Sequence, residues 1–140
     1  MVSNEIGVGY QLPELTIEQV DPEHIRQIAL VLNDPNPIHF DLEAVAAAGL
    51  GDSEINQGGS TMAYIIGMIA AWTGTRSDLR RIECRFRDNV RAGDSVTASG
   101  VIVEIVGGGA ARQAVCEVWV NRQDGRRVID GTAVVAIPDT

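Results

Sequence analysis

The stretch Ser60–Thr73 is apolar on nearly every side: Met62, Ala63, Ile65, Ile66, Gly67, Met68, Ile69, Ala70, Ala71 and Trp72 leave it no polar face. A helix of that kind has to be covered all round, so the rest of the chain must supply a surface that wraps it. The run Met62–Trp72 is too short to cross a bilayer, which takes ~20 apolar residues. Gly67 and the alanines let strands come close, or leave room for a ligand.

The segments after that helix read as strand. Arg81–Arg87 alternates, with Ile82, Cys84 and Phe86 on one face and charges on the other. Ser95–Val106 and Ala111–Gln123 are long β-rich runs separated by Gly107-Gly108-Gly109. Asp124-Gly125 is a hairpin turn signal leading into Arg127–Ile137. Ahead of the buried helix, Gly9–Val20 reads as an opening strand with Leu12, Leu15 and Ile17 as its apolar positions. Asp21-Pro22-Glu23 starts a helix, Asp as the N-cap and Pro at the first turn. Ile25, Ile28, Ala29 and Leu32 form its apolar face, and it must stop before Asp34-Pro35-Asn36-Pro37. Asp41 caps a short helix, Leu42–Ala48, closed by Gly49, and a polar loop runs from Gly49 to Gly59. This order predicts one α+β domain over residues 1–140, an antiparallel sheet wrapped around a buried central helix.

Composition narrows the partners. A net charge of −8 argues against nucleic acid and anionic membrane, which call for a basic surface. Residues 1–59 hold ten acids and one base, Arg26, whereas residues 60–140 hold nine acids and ten arginines. Six of these (Arg76, Arg80, Arg81, Arg85, Arg87 and Arg91) fall within sixteen positions, the best landing for an anionic ligand, although solvated strand faces have the same composition. There is no lysine, which excludes lysine Schiff-base chemistry. Cys84 and Cys116 lie inside apolar strand patterns and are expected as reduced core thiols, and with two histidines no metal site is expected. MVSNEIGVGYQ lacks a basic region followed by a hydrophobic core, so no signal peptide and a cytoplasmic protein are expected.

The chemically informative segment is Leu32–Asp41. Its prolines stiffen a loop that presents Asp34, Asn36, His39 and Asp41 between two helices. A carboxylate near an imidazole makes an acid–base pair, yet an Asx-rich loop before a helix is also an ordinary set of caps. His24, on the first helix, reads as a surface residue. Ser60 lacks a G-x-S-x-G setting, so no serine nucleophile competes.

The string Asp34-Pro35-Asn36-Pro37-Ile38-His39-Phe40-Asp41 resembles the D-x-N-P-[IL]-H-x-D signature of MaoC-like and R-specific enoyl-CoA hydratases. Asn56-Gln57-Gly58-Gly59-Ser60-Thr61-Met62 is similar to the start of that family's central helix, and Phe86–Asp94 to its F-x-x-P-V-x-x-G-D turn. The resemblance implies a hot-dog fold and reversible syn addition of water to a trans-2-enoyl thioester in lipid metabolism. It implies Asp34 and His39 as the catalytic pair, Asn36 as a supporting residue, and the backbone N–H of Gly58 or Gly59 as the oxyanion donor. The glycine pair also reads as a flexible lead into a helix. Arg85, Arg87 and Arg91 are candidates to meet carrier phosphates. No cofactor is expected beyond the thioester substrate, carried by coenzyme A or acyl carrier protein. A homodimer is expected; the alternatives are a subunit working with a MaoC-like paralogue and a hot-dog thioesterase. The last is disfavoured because Ser60–Thr73 has no carboxylate. Two positions depart from the pattern: Gln57 stands where the family usually has histidine, and Asn89 where the turn usually has proline.

Overall fold

The computed structural model describes residues 5–138. Strand β1 (Leu15–Ile17) is followed by helices α1 (Pro22–Val31), α2 (Leu42–Ala47) and α3 (Gly58–Thr73). Strands β2 (Leu79–Phe86), β3 (Val96–Val106), β4 (Gln113–Arg122) and β5 (Arg127–Ala136) complete the chain. All five strands form one antiparallel sheet in the order β1-β3-β4-β5-β2, and this sheet curls around α3 in a hot-dog fold.

Period-2 alternation explains which face meets the helix. Val96, Ala98, Gly100 and Ile102 of β3 point inward, as do Ala114, Cys116, Val118 and Val120 of β4. They close on Ile65, Met68 and Ile69 of α3, each at most 1% exposed. Burying side chains of this size contributes roughly 1.5–3 kcal/mol apiece. Tyr10 stacks on Trp72 with ring centroids 5.8 Å apart and pins the N-terminal segment to the far end of α3.

Several sequence expectations hold. Asp21 caps α1 with Pro22 in its first turn, Asp41 caps α2, and Gly49 takes φ 73° after α2. Cys116 is buried and Cys84 half-buried, both as free thiols. Burial pushes Cys116 up to about 11, which keeps it a protonated core group at neutral pH. His24 is exposed.

Others need correction. The opening strand shrinks from Gly9–Val20 to Leu15–Ile17, with one isolated bridge at Gln11–Val101. Pro13 has no N–H to give to a ladder, so pairing breaks beside it. Leu32 is 60% exposed and follows the last turn of α1, so it does not belong to the apolar face. Helix α3 starts two residues before Ser60, and its Ala63 and Ala71 face solvent, so its burial is one-sided within this chain. Asn89 in place of proline has a local use: its N–H donates to Asp88 Oδ1 at 2.7 Å, a bond proline cannot make.

Candidate active site

Helix α1 hands the chain over in a fixed direction. Asn33 adopts φ 50°, a left-handed turn that asparagine tolerates, and Asp34 N–H then bonds back to the Ala29 carbonyl at 2.9 Å. Asp34 Oδ1 accepts the Asn36 N–H at 3.0 Å, an Asx turn that fixes the carboxylate's rotation. Asn36 in turn caps the short 3₁₀ turn Pro37–His39, its Oδ1 accepting from Ile38 N–H at 3.3 Å. Asn36 therefore supports the pair through its backbone on one side and its cap on the other.

His39 is 7% exposed. Its Nδ1 lies 2.6 Å from the Ile55 carbonyl oxygen. A carbonyl only accepts, so Nδ1 carries the hydrogen and Nε2 is the ring atom free for chemistry. Nε2 faces Asp34 Oδ2 at 3.3 Å, with the Asp34 side chain 29% exposed. The two groups predicted as a pair are thus brought together, the imidazole sunk in protein and the carboxylate at the surface of the site. Next to Asp34 opens a largely apolar cavity of about 410 Å³ bordered by Arg26, Ala29, Leu30, Asn33 and Phe40.

Helix α3 follows closely on Ile55, which holds His39. Gln57 is its N-cap residue without a side-chain cap bond, and the ladder begins with Thr61 N–H on the Gln57 carbonyl at 3.1 Å. The N–H groups of Gly58 and Gly59 precede that ladder at the positive end of a sixteen-residue helix, where an oxyanion is stabilised. The two glycines differ. A Cβ on Gly58 would lie 3.1 Å from Phe86 Cε1, whereas one on Gly59 would meet nothing within 4 Å. Gln57 is 3% exposed, and its Nε2 donates to the Ile25 carbonyl at 2.8 Å, tying α3 to α1. Asn56 Nδ2 donates to Thr61 Oγ1 at 3.0 Å and to the Tyr64 phenol oxygen at 3.3 Å. Burial raises the Tyr64 phenol, partly offset by that bond.

Of the three candidate arginines, Arg85 and Arg87 are not brought together with the pair, whereas Arg91 is bridged to Ile55, the residue that holds His39. Arg85 and Arg87 border a groove of about 550 Å³ that also includes Trp119, Arg127 and Asp130. Strand alternation puts their side chains on the sheet face away from α3, opposite to Cys84 and Phe86. Arg87 is ion-paired with Asp130 at 3.2 Å. Arg91 instead packs its guanidinium against Gly51, and its N–H is held by Asp94 Oδ2 at 2.8 Å. Among the described residues no cluster of three or more His, Cys, Asp or Glu has the arrangement of a metal site, and no helix is long and apolar enough to cross a membrane.

Sequence reasoning missed three contributors. Ile55 enters through its carbonyl, which leaves no trace in residue type. Glu54, buried at 6% exposure and paired with Arg26 at 2.7 Å, looked like part of a polar loop. Phe86 lies on the same strand face as Ile82 and Cys84, as alternation gives, but its ring packs by Gly58 and stays 57% exposed, which alternation does not give. The F-x-x-P-V resemblance was the available signal for it.

A hot-dog sheet, a proline-stiffened Asp/His loop and a glycine-led central helix together define a hot-dog domain with an acid–base loop ahead of its central helix. The family description "MaoC like domain" matches residues 2–134, and the chain belongs to that family. Among solved structures it is similar to the unliganded R-hydratase PhaJ1 from Pseudomonas aeruginosa, at 24% identity and TM-score 0.80 over 97% of this chain and 84% of that one. It is similar to the (R)-hydratase from A. caviae involved in PHA biosynthesis, at 20% identity and TM-score 0.83 over 97% and 100%. The ChsH1-ChsH2 complex from Mycobacterium tuberculosis matches at 22% identity and TM-score 0.79 over 95% and 99%. At these identities the likeness establishes the fold. A comparison with curated proteins finds no match.

Proposed function

We propose that the chain is an (R)-specific enoyl-thioester hydratase, equally a 3-hydroxyacyl-thioester dehydratase, that uses Asp34 and His39 as its acid–base pair. The observation that carries this reading is the 3.3 Å approach of His39 Nε2 to Asp34 Oδ2, with Nδ1 already committed to the Ile55 carbonyl. At that separation a water does not fit on the line between them, but it sits beside both and bonds to each.

The chemistry then balances within the site. The water oxygen attacks the β-carbon of a trans-2-enoyl thioester while one member of the pair takes its proton. The C=C electron pair moves toward the thioester carbonyl and forms an enolate. The proton taken from water crosses the 3.3 Å contact to the other member, which delivers it to the α-carbon on the same face, making the addition syn and leaving both groups in their starting protonation. The backbone N–H of Gly58 or Gly59 bonds the enolate oxygen. The carrier is coenzyme A or acyl carrier protein. Dehydration is the same path reversed.

The assay is hydration of crotonyl-CoA and longer enoyl-CoAs, read as loss of enoyl absorbance, with chiral analysis of the 3-hydroxy product. Wild type is expected to form the (R) alcohol, and Asp34→Asn and His39→Gln are each expected to lose ~10² or more in kcat, as on removal of a general acid or base. A variant retaining wild-type rate would remove that residue from the mechanism.

A second chain is also expected in the working protein. Strand β2 is a sheet edge with no neighbour on its outer side. Leu30, Val31, Phe40 and Phe86 are exposed at 81%, 79%, 47% and 57%, with Leu30 and Phe40 on the cavity at Asp34 and Phe86 at the end of β2. A second copy or a MaoC-like paralogue would cover them. Light scattering of the purified chain separates dimer from monomer, and an inactive monomer would favour the paralogue.

A further inference from the structure

We infer that Arg26 and Glu54 are positioning residues: their ion pair, with the Gln57–Ile25 hydrogen bond beside it, sets the separation of Asp34 and His39. The inference rests on the reading of those two residues as the catalytic pair. Asp34 and His39 are built on different supports. Asp34 hangs from the end of α1 through its N–H on the Ala29 carbonyl. His39 hangs from residues 54–57, because Ile55 takes its Nδ1–H and donates its own N–H to the Ile38 carbonyl at 3.0 Å. The Asp34–His39 distance therefore depends on the separation of α1 from residues 54–57 as well as on the short Asn36 turn that joins the two residues. Two bonds span that gap: Arg26 Nη2 to Glu54 Oε1 at 2.7 Å, and Gln57 Nε2 to the Ile25 carbonyl at 2.8 Å. They leave adjacent residues of α1 and land on both sides of Ile55.

The charges argue for placement rather than for stability or ligand binding. Glu54 has an 8% exposed side chain, and a carboxylate so buried costs stability that a single ion pair does not reliably return. An apolar side chain would hold the fold as well; what it lacks is direction. Arg26 is the sole basic residue among residues 1–59 and borders the cavity at Asp34, so it is the obvious anion site there. Yet Nη2 is given to Glu54 and Nη1 to Glu23 at 2.9 Å. A guanidinium held as a planar fork between two carboxylates is fixed in orientation and already neutralised, which suits a strut and not a phosphate contact.

The test compares Glu54→Gln, Arg26→Met, Arg26→Lys and the double variant Arg26→Met/Glu54→Met. Amide hydrogen exchange is followed at Asn36, whose N–H holds Asp34, at Ile55, and at Val118 in the sheet. In Glu54→Gln and Arg26→Met, exchange at Asn36 and Ile55 is expected to quicken at least tenfold relative to Val118, the mark of local opening on the order of 1.4 kcal/mol. The kcat for enoyl-CoA hydration is expected to fall roughly 10- to 100-fold with KM nearly unchanged, as a misplaced reacting pair requires. Arg26→Lys restores part of both. The apolar double variant is expected to be as stable as wild type and still slow. A double variant that is stable and fast overturns the inference, as does exchange that quickens equally at all three amides. Exchange needs no substrate, so if wild type hydrates no enoyl thioester the functional reading falls and the exchange result still judges the strut.

Discussion

The segment from Asp21 to Gln57 and the sheet from Leu79 to Ala136 are held together by opposite means. The sheet is a ladder of backbone bonds whose inner face is sealed by apolar side chains, so many residues share each task. The segment before α3 has a few apolar anchors, Ile25, Ala29, Val45 and Ile55, and otherwise rests on single polar bonds: Asp21, Asn36 and Asp41 as caps, Asp34 on Asn36, His39 on Ile55, Arg26 on Glu54. Redundant packing tolerates change, whereas a chain of single bonds transmits it. Two groups held at 3.3 Å are better served by directional bonds than by packing, and the proposed acid–base pair sits among such bonds.

Substitutions in the two regions should therefore separate activity from stability. The largest effect is expected at the pair itself, where Asp34→Asn or His39→Gln lowers kcat by ~10² or more. A Tm near wild type, read by thermal unfolding monitored by circular dichroism, would show that the site is not a pillar of the fold. The mirror case is Gly131→Ala in β5. Its Cβ would fall 1.9 Å from the Glu83 carbonyl oxygen, so β2 must shift away. Overpacking of this kind costs about 3 kcal/mol or more, seen as an early denaturant midpoint, with the rate per folded molecule little changed. Loss of rate without loss of stability at Gly131 would break the comparison.

Gly58→Ala sharpens it, because that glycine is a proposed oxyanion donor and also touches the sheet through Phe86. Its new methyl would press on an exposed Phe86 ring that can swing aside, so stability is expected within about 0.5 kcal/mol of wild type. Hydration should fall about tenfold as the ring and the helix N-terminus lose register. Gly59→Ala, with open space at its Cβ, should leave the fold unchanged; a larger loss of rate there would make Gly59 the oxyanion donor. Asp41→Ala removes the α2 cap and is expected to cost about 1 kcal/mol, a few degrees in Tm.

The smallest effect is acid-dependent. The Arg122 side chain, helped by the Arg126 N–H, holds Asp124 down to about 2 from its ordinary 3.8. With the folded value below the unfolded one, its stabilising contribution is present above pH 4 and is lost as pH falls toward 2. The Asp124 side chain is 51% exposed, so salt should weaken the effect further. Acid titration of wild type against Asp124→Asn, at low and high salt, measures it.

Much of this was legible in the residues. Asp21-Pro22, Asp41 and Gly49 announced the helices before α3, and alternation announced β2 to β5, because caps and period-2 burial are local rules. Asp34 and His39 were visible because a proline-stiffened loop keeps them five positions apart. Pro13 is visible too, and a proline within the run confines the regular strand to the residues after it. The contacts that complete the site join distant positions: Arg26 to Glu54, Gln57 to Ile25, Gly58 to Phe86. No periodicity reaches across such separations.

By itself, then, the amino-acid sequence determined a central apolar helix, an antiparallel meander around it and a proline-stiffened loop before it that carries Asp34 and His39, since each depends on neighbours within a few residues. Tertiary structure alone decided that His39 offers Nε2 and not Nδ1, that Arg85 and Arg87 stand on the far face of the sheet from the pair, and that Glu54 is buried. Those outcomes turn on which carbonyl, which face and which partner the folded chain brings within about 3 Å, the range over which a hydrogen bond selects one arrangement from many.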